Sequence, residues 1–194
     1  MGQAITILGG VRSGKSSFAE DLAQQLGEEN VTYLATAEAG DEEMSRRIER
    51  HQSSRPEGWK TVESRRELAK TISQLLPLPK VILLDCLTIW ISNILLDAGD
   101  VPFEEIERQM RIEIEQFLEA VKGSNVTVIV VAGEVGMGVV PETLLGRQFR
   151  DLHGWANQTI VEASSNSYLM IAGRAVNLDS ISNTVERCAQ ECQP

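Results

Sequence analysis

Gly9 to Ser16 reads GGVRSGKS, which satisfies the pattern G-x-x-x-x-G-K-[ST]. A β-branched apolar run, Ala4–Leu8, precedes it, and Phe18, Leu22 and Leu26 recur every four residues after it. A strand, a glycine-rich turn and a helix are therefore expected in direct succession. In that setting successive backbone N–H groups curl inward and the helix N-terminus adds partial positive charge, so the segment suits phosphate oxygens. All of Gly9, Gly10, Val11, Arg12, Ser13, Gly14, Lys15 and Ser16 are assigned to nucleotide binding. Lys15 is expected to reach the β- and γ-phosphates and Ser16 to ligate Mg2+. A glycine turn with an incidental lysine is the alternative, and the flanking elements disfavour it.

Four further apolar runs, Val31–Thr36, Val81–Asp85, Val126–Ala132 and Tyr168–Ala172, show no in-out alternation and read as strands covered on both faces. Phe103, Ile106, Met110, Ile114, Phe117 and Val121 trace one face of a long helix, and Leu144–Glu162 reads as mainly helical. Strands alternating with helices imply right-handed crossovers. The expected fold is α/β, a three-layer sandwich with a mostly parallel sheet, of the RecA-like P-loop NTPase kind. Residues 1–176 read as one domain, and 177–194 as an extension to which no role is assigned. Trp90 and Trp155 are expected to fill core or interface.

Composition narrows the partners. The 194 residues carry a net charge of −10, and no stretch gathers Lys and Arg into a patch for a polyanionic backbone, so nucleic acid is excluded as the main partner. Val81 to Leu96 is the longest apolar candidate, but it contains Asp85, Thr88, Ser92 and Asn93 and is too short for a membrane span. Cys86, Cys188 and Cys192 are too few for a disulfide framework and fit a reducing, cytoplasmic setting. Cys188 and Cys192 lack further ligands for a structural metal.

Asp85 ends a buried strand, where an acidic group would help hold Mg2+; capping the next helix is its other reading. No Asn-Lys-x-Asp segment of a regulatory GTPase occurs. Only two histidines exist, His51 and His153. On spacing, His51 shares the apolar face of Met44 and Ile48 and reads as a half-buried histidine at a helix end. Glu134 and the glycines after it fit a structural turn as well as a catalytic role.

Several segments in order carry a more specific signal: GGVRSGKS at 9–16, YLATA at 33–37, EMSRRIERHQSSRPEGWKTVE at 43–63, LLDCLTIWISNIL at 83–95 and EVGMGVVPETLLGRQFRDLHGWANQ at 134–158. Together they resemble the bifunctional adenosylcobinamide kinase/adenosylcobinamide-phosphate guanylyltransferase family of cobalamin biosynthesis. The resemblance implies phosphorylation of adenosylcobinamide by GTP or ATP. It further implies transfer of GMP from GTP, through a covalent guanylyl-histidine, to the new phosphate. The alternative is a P-loop small-molecule kinase with a structural His51, and a third reading is a nucleotide-driven switch.

By the family's motif His51 is the expected nucleophile, with Lys15 as its catalytic companion. Ala35, Thr36, Ala37, Gln52, Ser53, Ser54, Arg55, Glu63 and Asp85 are carried over as contacts to the guanine nucleotide or its metal. The likeness also implies a homotrimer with the corrinoid substrate between subunits. Two positions depart from the family's pattern. Gly133 stands where Asn is common, and His153 where a small or apolar residue is usual; His153 is expected on the helix surface.

Overall fold

Strands form where β-branched side chains can be covered from both sides of a pleated surface. In the computed structural model, which describes residues 1–37, 56, 58–75 and 77–181, these are β1 (Gln3–Gly9), β2 (Val31–Ala35), β4 (Val81–Asp85), β5 (Thr127–Gly133) and β6 (Asn166–Ile171). Two more, β3 (Lys60–Glu63) and β7 (Arg174–Asn177), add to the expected five. Both are four-residue strands at the ends of the sheet, largely open to solvent, so neither carries an apolar run. The seven strands lie in the order β3-β2-β4-β5-β1-β6-β7. Every pairing is parallel except β6 with β7.

The described helices are α1 (Lys15–Gly27), α2 (Leu68–Gln74), α3 (Leu87–Asp97), α4 (Phe103–Gly123) and α5 (Leu144–Ala163). Successive strand residues point to opposite faces, and the core divides accordingly. Ile5, Ile7, Tyr33, Leu83 and Val131 pack with Ala19 and Ala23 of α1 on one face. Ala4, Leu8, Leu34, Ile82, Leu84 and Val130 pack with α2 to α5 on the other. This is the expected three-layer α/β sandwich with a mostly parallel sheet.

The face of α4 is as expected, with Ile106, Met110, Ile114, Phe117 and Val121 buried. Glu104 and Glu105 in its first turn and Lys122 in its last complement the helix dipole. In α1 the expected stripe is displaced by one residue. Ala19, Ala23 and Gly27 are the buried positions, while Phe18 and Leu22 flank them and Leu26 is exposed. The cause is close approach: a Cβ on Gly27 would lie 2.6 Å from Val31 Cγ2. Small residues, not large ones, face the sheet there.

Candidate functional site

Parallel pairing brings the ends of distant strands to one edge of the sheet, the edge where open α/β sheets bind ligands. Register aligns Glu63 with Ala35, Ala35 with Asp85, and Asp85 with Val131. Val131 pairs in turn with Ile7, two residues before the glycine loop. Three residues assigned from sequence, Glu63, Ala35 and Asp85, thus stand side by side in one row, next to the loop that β1 delivers.

The loop folds as its glycines allow. Gly14, the N-cap of α1, has φ 94°, a conformation strained for any residue with a Cβ. Ser13 N–H donates to Gly10 O at 3.3 Å, and Phe18 N–H to Gly14 O at 3.0 Å as the helix begins. Lys15 Nζ lies 3.2 Å from Gly10 O, with its ammonium folded back over the loop. Both flanks are braced. On the β5 side Glu134 N–H donates to Gly9 O at 3.0 Å, and on the β6–β7 side Gly173 N–H donates to Ser13 O at 2.9 Å.

Asp85 does not cap α3. Cys86 is the N-cap residue, without a side-chain cap, and Tyr33 donates its hydroxyl to Asp85 Oδ2 at 2.5 Å. The carboxylate is therefore oriented by β2. The neighbouring Cys86 thiol is pushed up to about 12 by burial and then by the Asp85 charge, so it is held protonated and unreactive. Thr36 is buried, and its hydroxyl accepts from Cys86 N–H at 2.9 Å and donates to Cys86 O at 2.8 Å. Asn93 Nδ2 donates to Thr36 O and Arg65 O. The end of β2 is thereby fixed to the start of α3.

The fourth strand of the apolar set ends in a second polar junction. Gly133 N–H donates to Thr88 Oγ1 at 2.7 Å, His153 Nε2 lies 3.0 Å from the same oxygen, and Asn157 Nδ2 donates to Gly133 O at 3.0 Å. His153 is not a surface histidine: it is 0% exposed, edge-on to Phe149, and burial lowers its pKa to about 4 against a smaller opposing effect of Glu134. The expectation failed because a helix-wheel position says nothing of what packs against it. Here α3 presents a hydroxyl to that position. Glu134 itself accepts from Gly136 N–H at 2.6 Å, which shapes the turn after β5.

Residues 5–178 match the family model described as cobinamide kinase / cobinamide phosphate guanyltransferase. The chain belongs to this family. Among the relatives of this cobinamide kinase and guanyltransferase family, the bifunctional adenosylcobalamin biosynthesis protein CobU of Escherichia coli (strain K12) is 37% identical, covering 90% of this chain and 98% of its own. The bifunctional adenosylcobalamin biosynthesis protein CobP of Pseudomonas aeruginosa is 41% identical, covering 86% of this chain and 92% of its own. Among solved structures, the flagellar accessory protein FlaH from Methanocaldococcus jannaschii aligns at 16% identity with a TM-score of 0.47, covering 91% of this chain and 76% of that one.

Within this family frame the structure gathers the loop 9–16, Ala35, Thr36, Ala37, Glu63 and Asp85 at one edge. His51, Gln52, Ser53, Ser54 and Arg55 lie outside the described residues, as do Cys188 and Cys192. Sequence reasoning missed Tyr33, Thr88 and Asn93, which hydrogen-bond to the ends of the site-forming strands. The signal for Asn93 was present: an amide within the mainly apolar stretch Leu87–Leu96 needs buried partners. Among the described residues no helix is long and apolar enough to cross a membrane.

Proposed function

We propose that this chain phosphorylates adenosylcobinamide with GTP or ATP and then transfers GMP from GTP to the product, giving adenosyl-GDP-cobinamide and pyrophosphate. Membership of the family over residues 5–178 carries this reading, and the braced loop beside Asp85 supports it. Both reactions are assigned to the domain 1–176, in a cytoplasmic homotrimer with the corrinoid bound between subunits.

In the first reaction the loop amides and Lys15 hold the β- and γ-phosphates while the substrate hydroxyl, losing its proton to solvent, attacks the γ-phosphorus; the β–γ bridging P–O bond breaks and the nucleoside diphosphate leaves. Ser16 and Asp85 would hold Mg2+. Both are hard oxygen donors, Tyr33 fixes the Asp85 carboxylate, and an ion that keeps waters and substrate phosphates in its shell needs few protein ligands. Bound there, Mg2+ supplies neutralising charge to the phosphate chain.

In the second reaction the neutral imidazole of His51 attacks the α-phosphorus of GTP. A P–N bond forms, the α–β bridging P–O bond breaks and pyrophosphate leaves. An oxygen of adenosylcobinamide phosphate then attacks the same phosphorus and the P–N bond breaks. Glu63, Ala35, Thr36, Ala37 and the segment Gln52 to Arg55 serve as nucleotide contacts.

Incubation with GTP labelled at the α-phosphate, followed by denaturation, tests the covalent step. Label that is acid-labile and alkali-stable is expected on the wild-type chain and absent from His51→Ala. An unlabelled wild-type chain would leave only a kinase, and label retained in His51→Ala would move the nucleophile elsewhere.

A further inference from the structure

Strand β5 outruns its neighbour β4. Asp85, the last residue of β4, pairs with Val131, whereas β5 continues to Gly133 and there pairs with Gly9 of β1. In a parallel strand the N–H and C=O of one residue point to the same side, and those of the next residue to the other. Glu134 N–H turns to β1 and donates to Gly9 O. The two backbone groups of Gly133 therefore face the side on which β4 has already ended.

Two helices supply the missing rung with side chains. Thr88 of α3 accepts the Gly133 N–H, and Asn157 of α5 donates to Gly133 O. His153, four residues before Asn157 and on the same buried face of α5, rests Nε2 against the Thr88 oxygen. The Gly133 C=O and the Glu134 N–H belong to one planar peptide unit. Fixing that oxygen on Asn157 therefore also aims the N–H at Gly9 O, the first carbonyl of the phosphate loop. A junction that served packing alone would be filled as well by apolar side chains. This one keeps His153 Nδ1 and Asn157 Oδ1 buried without a hydrogen-bond partner among the described residues, which costs stability.

We propose that Thr88 and Asn157 are positioning residues for phosphate binding: through the Gly133–Glu134 peptide they hold Gly9, and the loop it opens, in the shape that takes a triphosphate. The proposal rests on the phosphate-loop reading above and adds to it two residues outside the loop. Loop amides serve as phosphate donors only when their N–H groups converge, so a shift of the loop backbone weakens every contact at once. The effect passes through the backbone and is independent of the nucleobase.

Calorimetric affinities of the full chain for Mg2+ complexes of GTP and inorganic tripolyphosphate test this, together with hydrogen exchange at the Glu134 amide. Thr88→Val and Asn157→Leu are each expected to weaken both ligands by the same factor, about 3- to 10-fold. Both should speed exchange at Glu134 while Val130, inside the same strand, stays protected. Thr88→Ser restores the acceptor and is expected to recover most of the affinity. Ile160→Val removes a buried methylene from the same helix and measures lost packing alone; it is expected to bind both ligands within about twofold of wild type. Wild-type tripolyphosphate affinity in folded Thr88→Val or Asn157→Leu would overturn the proposal, and so would equal weakening in Ile160→Val. Thr88→Val, which keeps the side-chain shape, decides if Asn157→Leu does not fold. Lys15→Ala should weaken both ligands; if it weakens neither, the phosphate-loop reading fails first and the positioning role with it.

Discussion

At the scale of single residues, His153 shows how burial decides chemistry. An imidazole with no exposed surface and a pKa near 4 stays neutral in the folded protein at pH values where the unfolded chain takes up a proton. The sign follows from linkage. Between about pH 6.5 and pH 4 the unfolded state binds the extra proton, so stability falls as the pH falls through that window. The full loss on this account is about 3 kcal/mol. Stability measured by urea unfolding from pH 7 to pH 4 should therefore drop more steeply in the wild type than in His153→Gln. Parallel curves would mean that His153 is not held neutral by the fold.

At the scale of elements, the site is organised by junctions. Thr88 of α3 accepts the Gly133 N–H from the end of β5 and meets His153 from α5, so one hydroxyl ties three elements together. Thr88→Val keeps the shape and removes the acceptor. It should cost about 1–3 kcal/mol, since a buried N–H and an imidazole nitrogen lose their partner. An unfolding free energy within about 0.5 kcal/mol of wild type would show that the junction contributes little. The strands at the centre of the sheet, the long face of α4 and the glycine loop were all legible as runs, periods and motif spacing. The edge strands β3 and β7 were not, because their pairing depends on a neighbour and not on their own apolarity. Thr88 and Tyr33 were illegible as site residues for the same reason. Each acts through a partner 45 or more residues away.

At the scale of the whole molecule, the loop is coupled to the entire sheet, because Glu134 and Gly173 brace it from opposite flanks. Ligand binding is thus expected to resist global unfolding and not merely local fraying. Mg2+–GTP at about 100 times its dissociation constant should add about 2.7 kcal/mol, a rise in Tm of roughly 5–10 °C for a chain of this size. Lys15→Ala should abolish most of the rise, and a rise of undiminished size in that variant would place the nucleotide elsewhere. The position of β1 between β5 and β6 has a further consequence for biogenesis. During translation β1 finds neither of its neighbours until more than a hundred later residues have been made. The loop that follows β1 therefore gains both of its flanking strands only after β5 and β6 have been translated.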